Sequence, residues 1–157
     1  MDESQKLPLK CFFAAWIFAW VTAIYFPSAL IALADLSPAT LERSLLLRTF
    51  AVADEVAPAA KIGFAILLGG LAMLSRRLLP MSRAQVVVDM VSAALATLLI
   101  LAALPLDWSR GFGIGLTGNR FTPAPTAIYL GGALLSGLVF WLSAANCALR
   151  ARRAGTD

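Results

Sequence analysis

The feature that most constrains the fold of this chain is a set of four long apolar runs separated by short charged or glycine-rich segments. Residues 11–34 carry no charged side chain, and a run of this length can cross a hydrocarbon core, which takes about 20 residues of helix. Three further runs follow at about 56–75, 84–104 and 126–149. The pattern predicts an all-α integral membrane bundle of four transmembrane helices, forming a single membrane domain over 1–157.

The composition supports a membrane location. Hydrophobic residues make up 60% of the chain and charged residues 14%, whereas a soluble domain has about half apolar and about a quarter charged residues. In so small a bundle the excess apolar surface has to face lipid. The formal net charge is +4, but the basic residues form short clusters between the apolar runs, which is typical of membrane anchoring and not of nucleic-acid binding.

The chain contains no histidine, and this absence excludes several kinds of chemistry. It removes the usual axial ligand of a membrane haem, imidazole-based zinc sites, and every Ser-His or Cys-His mechanism. Clustered acids or other metal ligands that a lipid-modifying enzyme would use are also missing. We therefore expect no metal, no cofactor and no catalytic residue.

The first apolar run has a rival interpretation. Lys6 and Lys10 before it and the small residues Ala32 and Ala34 at its end resemble a signal peptide with a cleavage site. The run is longer than a signal-peptide core of about 7–15 residues, which favours a retained helix, and cleavage stays open as the alternative.

The segment 35–55 contains a second ambiguity. Over residues 37–56 apolar side chains fall near one helical face and charged ones elsewhere, which predicts an amphipathic helix at the membrane surface. The alternative is a polar extension of the second span. Lys61, near the start of that span, is expected to lie near the interface and to extend its ammonium group toward water.

The orientation follows from the distribution of basic residues. The two termini and the turn after the second span hold eight, and the other side holds five. Because basic residues stay on the cytoplasmic side, we predict a multi-pass protein of the cell membrane with both termini cytoplasmic and with segments 35–55 and 105–125 outside. The eight are Lys6, Lys10, Arg76, Arg77, Arg83, Arg150, Arg152 and Arg153, and the five are Arg43, Arg48, Lys61, Arg110 and Arg120.

The two cysteines, Cys11 and Cys147, both fall at predicted cytoplasmic ends of helices and form no Cys-x-x-Cys motif. Thiols stay reduced in the cytoplasm. We interpret both as packing residues that lie near each other, with acylation of Cys11 as a minor alternative.

Asp89 is the one acid inside the third span. Carboxylates in a membrane helix are costly and tend to have a role. Its helical face carries mostly small residues, which predicts that Asp89 faces another helix. We predict an intramembrane polar cluster that draws on Asp89, Ser92, Ser143 and Asn146, with Arg76 or Arg77 within reach. The favoured interpretation is a helix-packing polar contact or an interfacial acid paired with the nearby arginines, and the alternative is a proton- or cation-coupling site.

Small residues at helical spacing predict close helix packing, within the chain or with another subunit. They are Gly69, Gly70, Gly132, Ser136 and Gly137.

The glycine-rich segment 105–125 lacks the Gly-Lys-Ser/Thr ending of a phosphate-binding loop. Arg110 and Arg120 could still contact an anion or an anionic partner there.

Three short stretches resemble a class of uncharacterised bacterial four-helix membrane proteins of about this length. They are Leu74-Ser-Arg-Arg-Leu-Leu, Ile114-Gly-Leu-Thr and Tyr129-Leu-Gly-Gly-Ala-Leu-Leu. The resemblance implies a location in the bacterial inner membrane and no known activity.

The sequence therefore favours a non-enzymatic membrane protein, a structural or accessory subunit that packs with itself or with a larger membrane partner and contacts lipid. The alternative is a small oligomeric transporter or channel with Asp89 as its coupling acid.

Overall fold

A computed structural model describes residues 7–34, 44–78, 84–103 and 123–154. This part of the chain is helical and contains no strand. Its five helices are α1 (Leu9–Leu33), α2 (Leu45–Glu55), α3 (Pro58–Leu78), α4 (Ala84–Ala103) and α5 (Pro123–Ala154). Four of them, α1, α3, α4 and most of α5, are long and apolar enough to cross a membrane. The predicted bundle of four spanning helices is confirmed.

The four long helices form a closed ring. Helix α1 packs most extensively against α5, α5 against α4, α4 against α3, and α3 against α1, while α2 packs on α1. Alanine dominates the interior, and its small side chain lets the helix backbones approach closely. Larger buried side chains such as Leu68 and Phe140 fill the remaining space. The fully enclosed alanines are Ala15, Ala19, Ala32, Ala60, Ala93, Ala96 and Ala144.

Two glycines mark the closest helix approaches. A Cβ atom added to Gly132 would overlap the Pro27 ring on α1. One added to Gly137 would lie 2.5 Å from the Asp89 carbonyl oxygen on α4. Gly69 faces the Trp16 indole, whereas a Cβ added to Gly70 would meet no described atom within 4 Å. Gly69, Gly132 and Gly137 thus lie against other helices of the chain, and Gly70 lies on the outer surface of α3.

Ser136, the remaining residue of the predicted packing set, is completely buried. Its hydroxyl donates a hydrogen bond to the Ala133 carbonyl one turn earlier in α5. The serine therefore meets its polar requirement inside its own helix and contributes a small surface to the bundle.

Helices α2 and α3 together form a broken second helix. Val56 and Ala57 interrupt it, and Pro58 begins α3, where its missing N–H costs nothing. The Phe50 ring contacts the Tyr25 ring at a centroid distance of 5.5 Å. Of the predicted amphipathic segment 37–56, residues 37–43 lie outside the described part of the chain. Residues 45–55 form a helix packed along α1 and separated from α3 by the break, so they do not continue the second span as one helix. Its position at the membrane surface stays a prediction.

The start of α3 lies beside the middle of α1. The Trp20 indole N–H donates to the Lys61 carbonyl oxygen at 2.9 Å, and Trp20 is near the midpoint of Leu9–Leu33. A second indole, that of Trp16, donates to the Ala65 carbonyl oxygen one turn further along α3. These two bonds fix the start of α3 relative to α1, and the position of Lys61 near the membrane interface stays a prediction.

Candidate functional site

A buried ion pair forms around Asp89, a residue that is only 2% exposed. The Arg76 guanidinium on α3 donates from Nη2 to Asp89 Oδ2 at 2.5 Å. Gln85, one turn before Asp89 on α4, donates from Nε2 to Oδ1 at 3.2 Å and to the Ser75 hydroxyl at 3.0 Å. We call these four residues the Asp89 cluster: Ser75, Arg76, Gln85 and Asp89.

Helix α5 covers the Asp89 cluster with an aromatic ring. The Arg76 guanidinium carbon lies 5.4 Å from the centroid of Phe140, a distance at which a cation is attracted to the ring face. The Arg76 side chain is 11% exposed, and its Nε and Nη1 atoms find no hydrogen-bond acceptor within the described part of the chain. The cluster therefore joins α3, α4 and α5 through one buried pair of opposite charges.

The chemistry open to the Asp89 cluster is narrow. One carboxylate held by one guanidinium lacks a second acid or base, and the cluster itself contains no activated nucleophile. Among the described residues no group of three or more His, Cys, Asp and Glu side chains could hold a metal ion. The geometry suits a polar contact that holds the helices together.

The structure places the predicted partners of Asp89 elsewhere. Ser92 and Ser143 are half-buried and Asn146 is exposed, and the hydrogen bonds of Asp89 between described residues run to Arg76 and Gln85 instead. The reason is the approach of α5 at Gly137, which sets its backbone against that of Asp89. Asp89 does face other helices, with Arg76 in reach, but Ser143 and Asn146 of α5 are not its hydrogen-bond partners.

Two members of the Asp89 cluster, Gln85 and Ser75, did not feature in the sequence prediction. Gln85 could have been found, because it stands four residues before Asp89 and therefore shares its helical face. Ser75 has no comparable signal. The predicted outside contacts Arg110 and Arg120 lie beyond the described residues.

A second polar region lies at the break between α2 and α3. A cavity there, which we call the break cavity, has room for about one water molecule. Apolar side chains from α1, α3 and the break form most of its wall, and Lys61, Thr97 and Tyr129 supply its polar groups. The full lining is Ala23, Ile24, Val56, Lys61, Phe64, Thr97 and Tyr129.

The polar groups of the break cavity differ in whether they have a hydrogen-bond partner. Tyr129 is 3% exposed, and its hydroxyl has no hydrogen-bond partner among the described residues. Thr97 donates to the Ala93 carbonyl oxygen at 3.2 Å. Glu55, the last residue of α2, lies close enough to Tyr129 for its charge to act on the phenol. The cavity wall at the helix break thus includes Lys61 and the residue of the unpartnered hydroxyl, Tyr129, and Glu55 acts on that phenol from outside the wall.

Cys11 and Cys147 form a disulfide that ties α1 to α5, with Cα atoms 5.5 Å apart. The nearby rings of Phe12 and Phe140 pack edge to face with centroids 5.6 Å apart. The expectation that the cysteines lie near each other agrees with the structure, but the expectation of two reduced thiols is wrong for this structure. The reason is that the antiparallel packing of the first and last helices brings the two cysteines close enough for a disulfide.

Comparison with known proteins adds no assignment. No protein-family model matches the chain. No curated protein matches it, and no solved structure does.

Proposed function

We propose that this chain is a non-enzymatic membrane protein that acts as a structural or accessory subunit and packs with itself or with a larger membrane partner. The charge distribution and the resemblance to bacterial four-helix membrane proteins support a place in a bacterial inner membrane with both termini cytoplasmic. The geometry of the Asp89 cluster supports a scaffold, because its acid is enclosed by Arg76 and Gln85 and not presented to a substrate.

The observation that carries this proposal is the outward position of Gly70. Its neighbour Gly69 is used within the bundle by Trp16, whereas Gly70 is exposed and open. In lipid, helices associate where small residues let backbones approach, since apolar side chains gain nothing by leaving lipid tails. The exposed Ile66 and Met73 flank Gly70 on the α3 surface, and a helix of another subunit would pack between them.

The test is to purify the full chain in a mild detergent and to measure the mass of the complex by light scattering. The proposal expects a homo-oligomer or a stoichiometric complex with a membrane protein. Replacing Gly70 by Leu should release the monomer without loss of helical content, because the new side chain blocks the close approach.

Gly131→Leu on α5 is the matched control. Gly131 is equally open but lies on another helix, so the complex should survive that change. A native chain that is monomeric in detergent and in lipid discs made from its own membrane would contradict the proposal. So would a complex that Gly70→Leu and Gly131→Leu leave equally intact.

The burial of Asp89 within a spanning helix favours one second candidate, a small oligomeric transporter or channel with Asp89 as its coupling acid. Proteoliposomes that hold the wild type should then move protons or cations, and those that hold Asp89→Asn should not. Equal flux in the two would remove this candidate.

A further inference from the structure

We propose that Cys147 is a thiol-exchange site, at which a small thiol of net negative charge attacks and opens the disulfide to Cys11. The attacking thiol becomes bound to Cys147 as a mixed disulfide, and Cys11 is released. The proposal rests on the unequal burial of the two cysteines and on the polar and basic side chains around the bond. It stands apart from the accessory role above, because that role concerns the outer surface of α3.

The burial of the two cysteines decides which sulfur atom can react. A disulfide opens when a thiolate attacks one of its two sulfur atoms, so access selects the sulfur that is attacked. Cys11 is completely buried, and Phe12, the next residue, is also buried and packs against Phe140. Cys147 is half-buried and keeps part of its surface open. An external thiol can therefore reach Cys147 and not Cys11.

Exposed polar side chains lie around the disulfide. On α5, Asn146 precedes Cys147 and Arg150 follows it by one turn, and both are exposed; residues three apart are neighbours on a helix surface. On α1, the exposed Lys10 precedes Cys11. Basic side chains at the ends of spanning helices lie toward the membrane–water interface. A water-soluble thiol can thus approach this end of α1 and α5.

The charge around the bond selects the kind of thiol. Lys10 and Arg150 place one exposed positive charge on each of the two bonded helices. The acid near Phe140 and Arg76, Asp89, is buried and held in its ion pair. A positive surface concentrates negatively charged ligands and raises the rate at which they arrive. A small thiol of net negative charge, such as glutathione, is therefore favoured over a neutral one.

The helical setting favours a small thiol over a protein reductant. Cys11 is the third residue of α1 and Cys147 lies within α5, and these two helices pack extensively on each other. A protein reductant has to bring a cysteine on its own surface against the bond, whereas a small thiol needs only the open surface at Cys147.

The exchange takes place in two steps. The thiolate of the first small thiol bonds to Cys147 Sγ, and the bond to Cys11 breaks with its electron pair on Cys11 Sγ. A second small thiol then attacks the sulfur of the first, leaves as the small disulfide and releases Cys147 as a thiolate. Two small thiols are oxidised, the protein disulfide gains two electrons, and the two protons lost by the small thiols end on the cysteines.

Cys11 can also reverse the first step. Its Cα lies 5.5 Å from that of Cys147, so the released Cys11 thiolate can attack Cys147 Sγ again and expel the small thiol. The mixed disulfide is therefore short-lived in the wild type, and a chain that lacks Cys11 should accumulate it.

The experiment compares two single-cysteine variants of the full chain in a mild detergent. Cys11→Ala keeps only the Cys147 thiol, and Cys147→Ala keeps only the Cys11 thiol. Each is treated with oxidised glutathione at one pH, and intact-mass spectrometry follows the adduct. Cys147 should react about tenfold or more faster than Cys11, because exchange follows access. Circular dichroism checks that the two variants are equally helical, and both thiols should react alike after denaturation.

The wild type supplies a measurement that needs no variant. The oxidised chain is treated with reduced glutathione and trapped with acid at short times, and peptide mapping then locates the adduct. The proposal expects it on the peptide that contains Cys147.

The role of charge is tested in the Cys11→Ala chain. Adding Lys10→Met and Arg150→Met should slow the reaction with the anionic oxidised glutathione about threefold or more. Raising the salt concentration should slow it in the same way. The neutral hydroxyethyl disulfide is the matched control, and its reaction should change with neither.

Four outcomes would overturn the proposal. An adduct on Cys11, or equal rates in the two variants, would mean that burial does not direct the attack. Folded variants that react only after denaturation would leave the disulfide a purely structural bond. A rate that depends on neither charge nor salt would remove the preference for a negative thiol. A wild-type bond that resists glutathione and opens only with a dithiol protein would make a protein the reductant.

Discussion

The Arg76 guanidinium on α3 and the Asp89 carboxylate on α4 form a hydrogen-bonded ion pair of 2.5 Å. The pair connects two helices that follow each other in the chain, and Phe140 of α5 lies against its cationic side. Because both side chains are largely buried, the pair fixes the register of three helices at one end of the bundle. Mutations can separate the stability that the intact pair contributes from the cost of burying one charge without its partner.

Removing one partner of the pair should be far more damaging than removing both. Asp89→Met leaves the Arg76 charge buried and uncompensated, which costs about 3–5 kcal/mol in a buried setting. The double variant Arg76→Met with Asp89→Met replaces the pair by apolar side chains and should come within about 1–2 kcal/mol of the wild type. Unfolding of the wild type, both single variants and the double variant in mixed detergent micelles gives the four free energies. Additive effects of the two single changes would show that the residues do not depend on each other.

Gly137 should tolerate no added methyl group. A Cβ at this position would lie 2.5 Å from the Asp89 carbonyl oxygen and from the Met90 Cα, and backbone cannot move aside cheaply. We expect Gly137→Ala to lower the free energy of unfolding by about 1–3 kcal/mol, as overpacking does.

Gly131→Ala is the matched control for that change. Its added methyl group meets no described atom within 4 Å and should be neutral or stabilising by up to about 1 kcal/mol, because alanine suits a helix interior better than glycine. Equal effects at the two positions would contradict the close approach of α4 and α5.

Hydrophobicity predicted the spanning helices well. The expected spans at 84–104 and 126–149 correspond to α4 (Ala84–Ala103) and α5 (Pro123–Ala154), because lipid demands long apolar helices whatever their partners. The burial of Asp89 also followed from the small residues on its face. These features depend on local sequence alone.

Features that depend on how helices pack were harder to predict. The break at Val56–Ala57 has a local signal only in Pro58, and the shift of α3 along α1 rests on indole contacts from Trp16 and Trp20 to α3 carbonyls. The disulfide depends on the antiparallel packing of the first and last helices, a contact between residues 136 positions apart. The pattern of a single sequence does not show which residues of two packed helices lie side by side.

The Trp20 indole should contribute a measurable hydrogen bond to the α1–α3 contact. Trp20→Phe removes the donor to the Lys61 carbonyl and should cost about 0.5–1.5 kcal/mol of unfolding free energy beyond the lost ring volume. Trp141→Phe is the control, since the Trp141 Nε1 atom has no acceptor among the described residues. Calorimetry of the two variants should therefore separate them, and an equal fall in Tm would contradict the bond.

The state of Cys11 and Cys147 in the cell should report on their compartment. The fold brings the two sulfur atoms within bonding range, so the surrounding redox poise decides whether the bond persists. The bond is closed in the structure, and the proposed cytoplasmic orientation predicts that the reducing cytoplasm opens it in growing cells, so alkylation after acid trapping should label both thiols.

Addition of an oxidant should close the bond between Cys11 and Cys147 and protect both thiols from alkylation. It should raise the unfolding free energy by at most about 5 kcal/mol, the chain-entropy value for a loop of this separation. A pair already oxidised in untreated cells would contradict the cytoplasmic orientation.

The central claim, four spanning helices with both termini in the cytoplasm, is tested most directly by topology mapping of the intact chain. Single reporter sites at the N-terminus, near residue 81 and at the C-terminus should be accessible only from the cytoplasm, and sites near residues 40 and 115 only from outside. The basic-residue distribution and the four apolar helices predict this alternation. Termini on opposite sides of the membrane, or residues 40 and 115 on different sides, would contradict it.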